Sequence, residues 1–117
     1  MVANINEKIK NILYKEEISR VYDPIQDANL ILLSANEGSF IELIEPKSER
    51  SFTWNFLKKN GDSFHHICYE MNNLSDIDEV IKNNRMIKVL GPVNAKLFNR
   101  DVVFAVQRDK SIVEFLL

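Results

Sequence analysis

Two glutamates lie in the middle of apolar segments that are typical of β-strands. Glu42 lies within residues 39–45 and Glu114 within residues 111–117, and alternation along a strand places each of them on the same face as apolar neighbours. A carboxylate in such a position is costly unless it is paired, hydrogen-bonded or bound to a metal. For either glutamate alone, an exposed edge position is the alternative, but two such residues at corresponding places favour a shared cavity.

A pair of adjacent histidines is the second candidate. If residues 64–71 form a strand, His65 and His66 point to opposite faces, so only one of them can share a cavity with the glutamates. His66 shares its face with Cys68, and His65 shares the other face with Ile67. A single strand histidine is usually a structural or surface residue. Together with two carboxylates, however, a neutral imidazole forms a ligand set that is typical of a divalent metal.

Cys68 is the only cysteine, so it cannot form an intrachain disulfide, and a reducing cytoplasm is expected. Its thiol has three possible roles: a soft metal ligand, a nucleophile or a small buried hydrophobic group. Because nothing nearby in the sequence lowers its pKa, the buried role is favoured.

The elements that must position these residues follow from periodicity and from turn residues. In chain order we predict a helix over 4–13, strands over 18–22, 28–34 and 39–45, a short helix near 52–60, a strand over 64–71, a helix over 75–84 capped by Ser75, a strand over 87–90 ended by Gly91-Pro92, and a closing hairpin of 101–106 and 111–117.

The two halves of the chain repeat one another. Residues 39–44 (SFIELI) match residues 111–116 (SIVEFL) at a separation of 72 positions, and residues 2–5 resemble residues 71–74 at a separation of 69. The repeat predicts an α+β fold of two β-α-β-β-β modules in one domain, 1–117. Module one is 1–46, the connector is 47–62 and module two is 63–117. The first strand of module one is expected to be missing, because its place would precede Val2.

The composition of the chain argues against some classes of function. The 117 residues carry a net charge of −2, with 45% hydrophobic and 27% charged residues. Because nucleic-acid binding needs a basic surface, no nucleic-acid partner is expected. No apolar run approaches the roughly 18 residues of a membrane span. The sequence also has no cluster of lysines and arginines of the kind that binds a membrane surface, so no membrane partner is expected. The expected location is cytoplasmic.

Three segments in order resemble one family. They are the strand FIELIEP at 40–46, the short helix FLKKNG at 56–61 and the strand HHICYE at 65–70, followed by the closing hairpin VVFAVQRDKSIVEFLL. This arrangement is similar to the vicinal oxygen chelate superfamily, which comprises glyoxalases, bleomycin resistance proteins and dioxygenases. It looks most like the methylmalonyl-CoA epimerases.

The resemblance implies a cupped, half-open barrel of paired modules around a divalent metal ion, with Co, Ni, Zn, Mn or Mg as candidates. It also implies that His66, rather than His65, is a metal ligand together with Glu42 and Glu114. The family's fourth ligand lies on the first strand of module one, which this sequence lacks.

The implied activity is that of an epimerase or lyase that removes a proton next to a carbonyl of a small acyl thioester or 2-oxo compound, with Glu42 and Glu114 as the catalytic carboxylates. The alternative is a non-catalytic small-molecule binding protein of the same fold with an incomplete metal site. A homodimer is expected in both cases.

Overall fold

A computed structural model describes all 117 residues and shows an α+β fold, as predicted. The elements are α1 (Ile5–Lys8), β1 (Glu16–Asp23), β2 (Ala28–Ser34), β3 (Phe40–Pro46), α2 (Trp54–Asn60), β4 (His66–Glu70), α3 (Leu74–Asn83), β5 (Ile87–Ala95), β6 (Arg100–Val106) and β7 (Ile112–Leu116). They belong to two compact units, Met1–Phe64 and His65–Leu117. None of the helices has the length and apolar character needed to cross a membrane.

The first unit is built on a three-stranded antiparallel sheet in the order β1-β2-β3. One face of this sheet packs against α1 and forms a core of buried apolar side chains: Val2, Ile5, Ile31, Leu33 and Leu43. Because side chains alternate along β3, Glu42 must lie on the opposite face from Leu43. Its partner across the sheet is Leu32.

The second unit is built on a four-stranded sheet in the order β4-β7-β6-β5, in which β4 and β7 are parallel and the other pairs are antiparallel. Helix α3 connects β4 to β5 and covers one face of this sheet. The core beneath it consists of Ile77, Val103, Ala105, Val113 and Phe115. Full burial of each large side chain in this core contributes roughly 1.5–3 kcal/mol.

The structure shows the internal repeat in its hydrogen bonds. In the first unit Val2 N donates to the Ile44 carbonyl at 2.9 Å, and in the second unit Met71 N donates to the Leu116 carbonyl at 2.8 Å. The helix that follows begins in the same way in both units, because the side chains of Asn4 and Asn73 accept the hydrogen bond of a backbone N–H in the first turn. The first unit has three strands where the second has four, as the repeat predicts.

Helix α1 is shorter than predicted. It covers Ile5–Lys8 rather than 4–13. The side chain of Asn11 donates to the Glu7 carbonyl, and Lys10 N donates to the same oxygen, so the last helical carbonyls are satisfied by a tight turn instead of a further helical turn. The apolar spacing still has a structural basis, since Ile9 and Ile12 pack against the core of the first unit.

Strand β5 does not end at Gly91-Pro92, contrary to the prediction, but continues to Ala95 through a cis Gly91-Pro92 bond. The register with β6 shifts at two places near this pair, so the strand is bulged there. Because β5 is at the edge of its sheet, the missing N–H of Pro92 is tolerated.

The cap of α3 is Asn73 rather than Ser75. Asn73 Oδ1 accepts from Asp76 N at 2.9 Å, and the Ser75 hydroxyl donates to the same oxygen at 2.6 Å. We expect Asn73→Ala to lower the free energy of unfolding by about 1 kcal/mol, because the Asp76 N–H loses its acceptor. Ser75→Ala, which leaves the cap in place, is the matched control. Chemical denaturation followed by circular dichroism compares the two, and equal losses would contradict the assignment of the cap to Asn73.

Candidate metal centre

The parallel pairing of β4 with β7 positions His66 and Glu114 on one face of the second sheet. His66 lies opposite Ile112, and Cys68 lies opposite Glu114. Since Val113 and Phe115 point into the core beneath α3, alternation turns Glu114 to the other face. His66 is on that same face by the register of the two strands, as the strand pattern predicts.

The two side chains meet within the second unit. His66 Nε2 lies 2.9 Å from Glu114 Oε2, and only 6% and 2% of the two side chains are exposed. The ring of Phe104, which is opposite Glu114 on β6, packs edge-to-face against the His66 imidazole with centroids 5.4 Å apart. A carboxylate buried to this degree requires a partner, and here the imidazole provides one.

His65 has a contact that the sequence pattern did not indicate. It precedes β4, is 8% exposed, and its Nδ1 lies 2.8 Å from Nδ1 of His66. Burial, helped by the neighbouring His66, lowers the pKa of His65 to about 3, so the ring is neutral at physiological pH. Strand alternation alone places the two rings on opposite faces. His65 lies just before β4, where this alternation does not apply, and the two rings are in contact.

Glu42 lies in the first unit, in the middle of β3. It is half-buried, and it is on the face of the sheet that does not contact α1. Its place in the repeat corresponds to that of Glu114 on β7. Within the second unit the structure brings His66 and Glu114 together.

Cys68 is exposed rather than buried. Alternation correctly predicts its face, which it shares with Glu114, but β4 is at the edge of its sheet and therefore gives its side chains less cover. The favoured prediction of a small buried hydrophobic group is therefore wrong.

The chemistry and spacing of His66 and Glu114 fit a divalent cation. An imidazole nitrogen and a carboxylate oxygen are ligands that first-row divalent ions and magnesium accept. Adjacent ligands of an octahedral ion with bonds of about 2.1 Å are about 3 Å apart, which agrees with the 2.9 Å between Nε2 and Oε2. The 2.9 Å separation is that of a hydrogen bond between the two side chains, and it also fits two ligands of one cation.

Solved structures of low sequence identity share this fold. A hypothetical protein of Bacillus halodurans is 24% identical, with 98% of this chain and 86% of that chain covered and a TM-score of 0.82. The methylmalonyl-CoA epimerase of Mycobacterium tuberculosis is 18% identical, with 98% and 81% covered and a TM-score of 0.76. That of Streptomyces coelicolor, in complex with 2-nitronate-propionyl-CoA, is 17% identical, with 98% and 89% covered and a TM-score of 0.81.

A comparison with curated proteins found no match. Residues 2–105 match the family model described as the glyoxalase/bleomycin resistance protein/dioxygenase superfamily. This match spans most of the chain and agrees with the fold of the solved structures. The protein therefore belongs to the glyoxalase/bleomycin resistance protein/dioxygenase superfamily.

Proposed function

We propose that this protein is a metal-dependent epimerase or lyase of the glyoxalase type, and that it acts on a small acyl thioester in the manner of a methylmalonyl-CoA epimerase. The observation that carries the proposal is the buried His66–Glu114 pair, with its ligand atoms 2.9 Å apart. Membership of the superfamily and the structural likeness to methylmalonyl-CoA epimerases support it.

His66, Glu114 and Glu42 would hold the cation. The first two already present a nitrogen and an oxygen at a suitable separation, and Glu42 occupies the corresponding position of the repeat in the first unit. This assignment requires that the two units act as one domain over residues 1–117. One imidazole and two carboxylates would leave coordination positions for substrate oxygens, as catalytic metal sites require.

The two glutamates have different surroundings, which suggests different roles. Glu114 is almost fully buried and is engaged with His66, so it is suited to holding a ligand in place. Glu42 is half-buried and so remains partly accessible. A carboxylate has two oxygens, so Glu42 can serve as a ligand with one and accept a proton with the other. A bound divalent cation acts as a Lewis acid that polarises a carbonyl.

The reaction follows from these roles. Glu42 would remove the proton from the carbon next to the thioester carbonyl, and a proton from solvent delivered to the other face would invert that carbon. Glu42 would then release its proton to solvent. Neither Glu42 nor Glu114 forms a covalent bond with the substrate. The buried position of the His66–Glu114 pair limits the access of water at that end of the site.

Hydrogen exchange tests this function. In D₂O, protein supplied with Co²⁺ is expected to exchange the C2 hydrogen of methylmalonyl-CoA for deuterium, and Glu42→Gln is expected to lower the rate by about 100-fold or more, because the base is lost. Mass spectrometry of the thioester measures the exchange, and metal-free protein and the exposed-residue variant Glu79→Gln are the controls.

The outcomes separate the two candidate functions. Exchange that survives Glu42→Gln would contradict the role of this carboxylate. Tight binding of Co²⁺ and of a thioester without any exchange would support a binding protein of the same fold. Failure to bind Co²⁺, Ni²⁺, Zn²⁺, Mn²⁺ or Mg²⁺ would overturn the metal-dependent proposal.

A further inference from the structure

Strand β3 is at an edge of the first sheet, and no further strand of that sheet lies on its outer side. The sheet has the order β1-β2-β3, and β3 pairs with β2 along its whole length without a register shift. The Ile44 carbonyl accepts from Val2 N, so the backbone groups of Ile44 point away from β2. Because these directions alternate along a strand, those of Phe40 also point outward, whereas those of Ile41 and Leu43 point towards β2.

The opposite edge of the same sheet has features that prevent pairing. β1 shifts its register between Glu17 and Ser19, and its exposed side chains include Glu16, Glu17 and Arg20. Bulges and charged side chains are common means by which natural edge strands avoid pairing with other chains. β3 has no register shift and no lysine or arginine, and both of its glutamates are half-buried. The outer edge of β3 is therefore suited to pairing.

The second unit shows what occupies the corresponding edge. β7 matches β3 in the repeat, and its outer side pairs with β4, which runs parallel to it. β4 leads directly into Met71, whose N–H donates to the Leu116 carbonyl just as the N–H of Val2 donates to the Ile44 carbonyl. The two edges therefore have the same backbone directions. The occupant that such an edge accepts is an extended segment that runs parallel to it.

The side chains of β3 define the chemistry of this segment. On the face that packs against α1, Leu43 belongs to the core and Ile41 packs against it. β4 places Ile67 and Tyr69 beside the corresponding residues of β7. Because neighbouring strands bring side chains of the same face into contact, a segment that pairs with β3 needs large apolar side chains at alternate positions on this face.

We propose that the outer edge of β3 binds an extended segment of another polypeptide, which adds to the sheet as a parallel strand with apolar side chains at alternate positions. Backbone hydrogen bonds provide the affinity in this mode of recognition, and the alternate side chains provide the selectivity. The added strand gives the first sheet the same number of strands as the second sheet. This inference goes beyond the proposed enzymatic function and does not depend on a bound cation.

Strand β4 supplies the sequence of a probe, because β3 and β7 match. The probe is a peptide of residues 64–72 with Cys68→Ser, which prevents disulfide exchange, added to the full-length protein in the presence of a chelator. Amide hydrogen exchange measured by nuclear magnetic resonance reports the pairing. We expect the N–H groups of Phe40 and Ile44 to exchange about tenfold more slowly with the peptide bound. Those of Ile41 and Leu43 should change much less, since they already point towards β2.

Two N-methylated peptides provide a matched control. In the second unit Met71 N donates to β7, so alternation turns the N–H groups of Ile67 and Tyr69 towards β7 and those of positions 68 and 70 away from it. N-methylation at Ile67 and Tyr69 is therefore expected to abolish binding, whereas N-methylation at positions 68 and 70 should preserve it. Equal binding of the two peptides would overturn the proposal.

A change in the protein tests the same edge. Phe40→Pro removes an outward N–H and leaves the pairing with β2 in place, because this N–H points away from β2. Ser39, which precedes it, has φ −84° and ψ 162°, a conformation that is allowed before proline. We expect the affinity for the peptide to fall about tenfold, and Phe40→Val, which keeps the N–H, to retain most of it. If the proline variant does not fold, the N-methylated peptides still test the proposal.

The remaining outcomes identify other occupants of the edge. Absence of protection at Phe40 and Ile44 with millimolar peptide would overturn the proposal. Protection of both N–H groups in the protein alone, lost on dilution, would assign the edge to a second copy of the chain and would overturn it as well. Because these measurements are made without metal, their failure leaves the proposed metal site in place, and failure of the protein to bind a cation leaves the strand-binding edge in place.

Discussion

Glu114→Gln is expected to weaken the binding of Co²⁺ by more than about 100-fold, since loss of a ligand should exceed the effect of losing a residue behind one. The amide that replaces the carboxylate has no negative charge, so its oxygen binds a divalent cation more weakly than a carboxylate oxygen does. The fold is expected to survive, because glutamine has nearly the same volume and its carbonyl oxygen can still accept from His66 Nε2. Competition with a chromophoric chelator measures the affinity.

Glu79→Gln is the matched control for this change. Glu79 lies on the exposed side of α3, so its replacement removes the same charge from the second unit without touching the His66–Glu114 pair. We expect Co²⁺ affinity to remain within about twofold of the original, because exposed charges are screened by salt. If the two variants lose equal affinity, net charge rather than ligation by Glu114 determines binding.

Gly91→Ala is expected to lower the free energy of unfolding by about 2–5 kcal/mol, the sum of a left-handed backbone penalty and the cost of overpacking. Gly91 has a φ of 102°, which side-chain-bearing residues rarely adopt. An added Cβ would overlap the Val102 carbonyl oxygen and lie 3.0 Å from Val103 Cα. Both are backbone atoms of β6, which lies between β5 and β7, so they cannot move aside without disturbing the sheet.

Gly38→Ala isolates the backbone contribution. Gly38 has a φ of 74°, but a Cβ added there meets no atom within 4 Å. Its replacement is expected to cost only about 1–2 kcal/mol, the left-handed penalty alone. Urea denaturation of both variants gives the comparison. A loss for Gly91→Ala no larger than that for Gly38→Ala would show that the contact with β6 has no energetic effect.

The bounds of β2 and β3 could be predicted closely from the sequence, whereas those of α1 and β5 could not. Residues 28–34 are apolar and bounded by turn residues, and β2 has those same bounds. The predicted first helix is too long because the Asn11 side chain donates to the Glu7 carbonyl where a further helical turn would begin. Apolar spacing does not reveal such a contact. The error at β5 arose because Gly91 and Pro92, which usually end strands, here form a bulge at a sheet edge.

The residue types of the candidate site could be predicted because a carboxylate is unusual in the middle of an apolar strand. A glutamate within an apolar strand, as at position 114, needs a partner when it is buried, and the structure shows that Glu114 is buried and that His66 is its partner. The contact between His65 and His66 could not be predicted, because it depends on where β4 begins and on the rotamers of both rings. The exposure of Cys68 was missed for a related reason: periodicity gives a face, but not the position of a strand within its sheet.

The parallel pairing of β4 with β7 has a consequence for the order of folding. It joins His66 to Glu114 across 48 positions of the chain, whereas β6 and β7 form a local hairpin. Closing a long loop costs more entropy than closing a hairpin, so we expect the hairpin to form first and β4 to dock late. The His66 imidazole and the Glu114 carboxylate then come together only in the last stage of assembly. A cation that binds them would stabilise the finished sheet by mass action rather than guide its formation, and it would slow unfolding more than it speeds folding.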